Sequence, residues 1–149
     1  VVAQAWARSG LITVKHGVDS HCDTISQSVL AAFIRDGHLA RHVRHMRPIY
    51  AERRKVLLDG LHREFGKWLE PIPSEAGLHL AARIRDPERA PGIMPKLLRF
   101  AAGAESTADY AMTRDIEPAV TFGYGVIDVG EISAALVELR RALEEGVGK

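Results

Sequence analysis

The chain has 149 residues, 46% hydrophobic and 26% charged, the usage of a folded domain with a sizeable core and not of a disordered, collagen-like or disulfide-stapled chain. Twenty Lys and Arg against nineteen Asp and Glu leave a formal net charge of +1, so no global positive field draws it to nucleic acid or an anionic membrane. The single cysteine, Cys22, excludes an internal disulfide, and no apolar run approaches the roughly 20 residues that span a bilayer.

From Val1 to Lys15 the short apolar groups VVA and LITV surround Trp6, with Gly10 between them. This stretch reads as a frayed lead-in, and with no targeting segment near Val1 the whole reads as a piece of something longer. From Thr24 the period changes: Ile25, Val29, Leu30, Phe33 and Ile34 recur on one helical face. Asp23 or Thr24 can cap that helix, and Gly37 can close it in a left-handed conformation. Leu39, Val43, Met46, Tyr50, Leu57 and Leu61 then predict a long helix to about Phe65. Pro48 lies inside it and predicts a kink or break near Arg44 to Arg47.

The segment EPIPSEAG reads as punctuation. In LHLAARI, Leu78, Leu80, Ala82 and Ile84 alternate with His79, Ala81 and Arg83, which predicts a half-buried strand. After turn-rich Asp86 to Gly92, the residues Ile93, Leu97, Leu98 and Ala101 repeat at helical spacing up to Gly103. A short strand is expected at Thr107 to Met112 and a better one at Ala119 to Tyr124, rich in residues that suit a pleated surface. Asp128 and Glu131 form a capping pair ahead of the stripe Ile132, Leu136, Leu139 and Leu143. The order helix, helix, strand, helix, strand, strand, helix predicts an α+β fold, a small, mainly antiparallel sheet covered by helices.

Chemistry-bearing clusters are sparse. His38, His42 and His45 share helical spacing but lack the further ligand a zinc site needs, and no HExxH occurs. Residues 35 to 55 hold Arg35, Arg41, Arg44, Arg47, Arg53, Arg54 and Lys55 against Asp36 and Glu52. Such a strip can bind phosphates, yet these residues fall on several helical faces without a helix-turn-helix, and solvated arginines or contacts to a neighbouring domain are expected. Cys22 beside His21 lacks a third orienting group. Lys15 has no flanking feature that would lower its pKa for Schiff-base chemistry. Gly123 and Gly125 do not form a phosphate-binding GxGxxG. No catalytic residue and no metal site is predicted.

The stretches SQSVLAAFIRDGHLARHVRHMRPIYAERRKVLLDGL, SEAGLHLAARI and VTFGYGVI, followed by the last helix, resemble the C-terminal portion of a MocR/PdxR-type regulator. That family, within the GntR superfamily of bacterial transcription factors, carries a fold-type I aminotransferase-like domain behind a winged helix-turn-helix. The resemblance runs from about Gly10 onward. It is most specific at Phe33-Ile34, Gly37-His38-Leu39, His42, Arg44, Met46-Arg47, Tyr50 and Arg53-Arg54, and at Glu75-Ala76-Gly77-Leu78-His79.

The resemblance implies that residues 1–22 lead in from a large domain and that 23–149 form the aminotransferase-like small domain. In such proteins the large domain holds pyridoxal phosphate and its Schiff-base lysine, and the small domain closes over the ligand. Cofactor binding is therefore implied for the parent protein, with none bound covalently by this chain. An arginine on the last strand commonly grips a substrate carboxylate; Thr121 stands at that position here, which fits a sensor of pyridoxal phosphate better than a transaminase. Thr24 and Gln27 match a region that approaches the cofactor phosphate of a partner subunit. The implied partners are the large domain, which would cover the Ile25 to Ile34 face and whose absence predicts a dimer or larger species of the isolated chain, and DNA only through the N-terminal domain, with no membrane and a cytoplasmic location. A fragment of a genuine aminotransferase, related to those acting on aminoadipate or kynurenine, is the alternative. A free-standing α+β module that dimerises through its first helices is a third.

Overall fold

The computed structural model describes residues 3–18, 23–100, 103–112 and 116–145. The chain divides into two compact units, Val1–Arg44 and His45–Lys149. The boundary expected after residue 22 lies at the edge of a stretch, 19–22, outside the described residues.

In the first unit, α1 (Ala5–Val18) is a regular helix where a frayed lead-in was expected, and none of its residues is buried. Its Trp6, Leu11, Ile12, Val14 and Val18 are exposed. The helix α2 (Thr24–Arg35) begins as its sequence predicts: Asp23 Oδ1 accepts from Ser26 N at 3.0 Å, and Ser26 Oγ donates to Oδ2 at 2.5 Å. These bonds hold the Asp23 carboxyl below its ordinary pKa. Gly37, at φ 76°, closes the helix, donating to Ile34 O at 3.1 Å; a side chain there would be strained. The apolar face of α2 is real, but all five of its large side chains are exposed. The Phe33 and His38 rings stack with centroids 5.4 Å apart.

The helix α3 (His38–Glu64) runs unbroken through Pro48. Of the kink or break expected near Arg44–Arg47, a break does not occur, because proline deletes a single donor while the turns on either side keep theirs.

The second unit is built around a sheet of order β1-β2-β4-β3, antiparallel at every pairing. It comprises β1 (Leu69–Pro71), β2 (His79–Ile84), β3 (Ala104–Ser106) and β4 (Ala119–Gly123). Leu80, Ala82 and Ile84 of β2 and Val120 and Phe122 of β4 point into the core. There they join Leu57, Leu61 and Phe65 at the end of α3, Ile93 and Leu97 of α4 (Ala90–Leu97), and Ile132, Leu136, Leu139 and Leu143 of α5 (Val129–Glu144). At Gly60 an added Cβ would lie 2.5 Å from Leu136 Cδ1, so the missing side chain is what lets α3 and α5 approach.

Two strands depart from expectation. β1 falls in the segment read as punctuation; it is an edge strand, where Pro71 needs no ladder donor. β3 lies at Ala104–Ser106, and the expected strand at Thr107–Met112 is instead a 3₁₀ turn over Thr107–Tyr110. Ser106 caps that turn by accepting from Ala108 N at 3.2 Å, and Thr107 Oγ1 donates to Ala119 O at 3.1 Å. Short hydroxyl side chains here satisfy backbone groups locally and compete with strand pairing.

Asp128 and Glu131 form the predicted capping box, with both reciprocal bonds at 2.8 Å. Asp128→Ala is expected to lower the unfolding free energy by about 1 kcal/mol, read by urea denaturation followed through Trp68 fluorescence.

Candidate functional site

Part of the resemblance, Tyr50, Arg53, Arg54, Gly77 and Leu78, meets at one end of the sheet. Tyr50, Arg53 and Arg54 lie on α3. The Arg53 guanidinium, 5.7 Å from the Tyr50 ring centroid, donates to Gly125 O at 2.8 Å. Arg54 donates to Ser74 O. The neighbouring arginines thus fasten two loops, 72–78 between β1 and β2 and 124–128 after β4.

Those loops also hold each other. Tyr124 N donates to Leu78 O at 3.0 Å, and its phenol donates to Gly77 O at 2.7 Å. Gly77, at φ 87°, supplies a left-handed turn, and Leu78 packs on Gly125, where a Cβ would lie 3.3 Å from Leu78 Cδ1. Burial pushes the Tyr124 phenol above its ordinary pKa, with Arg54 opposing.

One strand turn away, Thr121 sits half-buried on the sheet face opposite the core, paired in register with Ala81 of β2 and Glu105 of β3. Its Oγ1 donates to Glu105 O at 3.4 Å. Tyr110 donates its phenolic hydrogen to the Glu105 carboxylate. On the same face, Arg83 reaches Glu117 at 2.5 Å and Glu70 at 3.9 Å, and Arg85 reaches Glu70 at 3.8 Å.

Thr24 and Gln27 are exposed in the first two turns of α2. The first-turn amide of Ser26 is already taken by the Asp23 carboxylate, so a phosphate there would meet side-chain donors and not an open helix end. His38, His42 and His45 are all exposed on α3. Lys15 is exposed on α1. Cys22 and His21 lie outside the described residues.

Of the basic strip, Arg35 pairs with Asp36 at 3.6 Å and Lys55 with Asp59 at 2.7 Å. Arg53 and Arg54 are not the solvated arginines that the sequence suggested: both are half-buried and bonded to carbonyls 72 and 20 residues away. Nothing in the local sequence marks them as loop anchors; their appearance in the resemblance was the available signal.

No family model matches the chain. It is 44% identical over 57 residues to the probable rhizopine catabolism regulatory protein MocR of Rhizobium meliloti, covering 38% of this chain and 12% of that protein. It is 34% identical over 74 residues to YhdI, an HTH-type transcriptional regulator of Bacillus subtilis, covering 50% of this chain and 15% of that protein. Among solved structures, it is similar to the α-aminoadipate aminotransferase LysN of Thermus thermophilus, with a TM-score of 0.77, 20% identity, and coverage of 98% of this chain and 37% of that one. The kynurenine aminotransferase of Pyrococcus horikoshii matches with a TM-score of 0.75 and 16% identity, over 92% and 34% of the two chains. The chain is MocR-like in sequence and aminotransferase-like in fold, and spans a minor part of each of these proteins.

Tyr124→Phe removes one hydrogen bond and is expected to cost about 1 kcal/mol near neutral pH. The raised phenol pKa means that its stabilisation is complete below the ordinary value near 10.0 and is lost as pH rises through the folded-state value. Urea midpoints measured from pH 8 to 11 should therefore converge for the wild type and Tyr124→Phe as pH rises; a constant gap contradicts this.

Proposed function

We propose that this chain is the C-terminal, aminotransferase-like small domain of a pyridoxal-phosphate-responsive bacterial transcription regulator, and that it closes over a ligand pocket whose other half a large domain supplies. The observation that carries the proposal is the pairing of MocR-like sequence with an aminotransferase-like fold over 98% of the chain. In this reading residues 1–22 lead in from the large domain and 23–149 form the small one. DNA is reached through a separate N-terminal helix-turn-helix domain, in the cytoplasm.

The loops joined by Arg53, Arg54 and Tyr124 form the rim of the lid, and their cross-bonding keeps the rim rigid as the domain moves. Thr121 occupies the place of a carboxylate-gripping arginine. A hydroxyl supplies neither the charge nor the two-pronged geometry, which favours a sensor over a transaminase. Pyridoxal phosphate, when bound in the parent, would supply an electrophilic aldehyde. Thr24 and Gln27 would serve as uncharged donors to the cofactor phosphate of a partner subunit, beside the Asp23 carboxylate that already caps α2. A fragment of a working aminotransferase is the second reading, favoured by the likeness to LysN.

Mixing the chain with pyridoxal phosphate and reducing with borohydride is expected to leave no stoichiometric lysine adduct. A trapped adduct at one lysine would overturn the reading of this chain as a lid. In the parent, operator affinity should change with pyridoxal phosphate; turnover of amino donors without any such change favours the enzyme.

The α2 face, Ile25, Val29, Leu30, Phe33 and Ile34, is exposed, and burying each such side chain is worth about 1.5–3 kcal/mol. The isolated chain should self-associate through it. Sedimentation at roughly tens of micromolar should show a dimer or larger species, shifted toward monomer by Val29→Asp. A wild-type monomer contradicts this.

A further inference from the structure

The charge around Thr121 is the reverse of what a carboxylate would require. Directly across the β3–β4 pairing stands Glu105, whose backbone carbonyl takes the Thr121 hydroxyl and whose carboxylate takes the Tyr110 phenol. Across the β2–β4 pairing stands Ala81, which adds no charge and no bulk. Among the described residues, Arg83 and Arg85 on this face are already paired, Arg83 with Glu117 and Glu70 and Arg85 with Glu70. Among the described residues, none of the salt bridges reaches Glu105. The Tyr110 phenol, held above its ordinary pKa chiefly by its bond to Glu105, is a neutral donor beside a charged acceptor.

A ligand end arriving beside Thr121 would therefore find a hydroxyl and a carboxylate, with only the methyl group of Ala81 on the other side. A carboxylate would be repelled by Glu105, while an ammonium or hydroxyl could donate to Glu105 Oε and Thr121 Oγ1. We propose that the effector is a small amine whose far end is a second amino or hydroxyl group and not a carboxylate, with Glu105 as the residue that sets this preference. This rests on the proposed function, since it takes Thr121 as a ligand-facing position.

The test uses the regulator that carries this chain, loaded with pyridoxal phosphate, and a matched pair of probes, 1,3-diaminopropane and β-alanine, which differ only in whether the far end is an ammonium or a carboxylate. Affinities are read from the absorbance of the bound cofactor. The diamine should bind more tightly by about tenfold or more, the scale of one charge-assisted bond. Glu105→Gln should remove most of that margin, and Glu105→Arg should reverse it. Because Glu105 is exposed, both variants should still fold, read as a single cooperative thermal transition. Tighter binding of β-alanine by the wild type, or a preference unchanged in both variants, overturns the inference while leaving the lid reading intact. Failure of the wild-type regulator to bind pyridoxal phosphate overturns that reading, and this inference falls with it.

Discussion

Two loops at one end of the sheet expose backbone carbonyls that the strands cannot satisfy, and the second unit is organised around supplying donors to them. Arg53 and Arg54 reach Gly125 O and Ser74 O, while Tyr124 reaches Gly77 O. A guanidinium suits this role because it carries several donors on a planar head and never loses its charge. Consecutive arginines point roughly 100° apart around a helix, so a single turn of α3 can serve both loops. The fully buried Leu57 and Leu61, one and two turns later, anchor the same helix in the core. Packing thus holds the arginines in place, and the arginines hold the loops.

Apolar surface is distributed unequally. The second unit buries a continuous core from α3, the sheet, α4 and α5, closely enough that Gly60 has no room for a methyl group beside Leu136. The first unit buries nothing on α1 or α2, although both helices carry large apolar side chains. The helix α2 is defined locally, by the Asp23 cap and the Gly37 turn. Short helices without packing are marginal in water, so a surface that covers these faces is a physical requirement of their stability.

On the sheet face opposite the core, Glu105 lies across the strand pair from Thr121, and its carboxylate accepts from the Tyr110 phenol. The remaining charges on that face close among themselves as Glu70, Arg83, Arg85 and Glu117.

The sequence alone determined the elements whose signals are local. The periodicity of α2, the alternation of β2 and the Asp128–Glu131 box of α5 each lie within a few residues, and each appears where expected. The resemblance was legible in Arg53-Arg54 and Glu75 to His79, though not the reason that these residues go together. Tertiary structure decided what depends on distant partners. β1 exists because Leu69–Pro71 finds an edge of β2, β3 sits three residues early because Ala104–Ser106 finds β4, and α3 runs through Pro48 where local rules favoured a break. Arg53 and Glu105 likewise acquire their roles from neighbours 72 and 16 residues away. Hydrogen-bond donors and charges take their meaning from what they face, and only the folded chain brings those partners within reach.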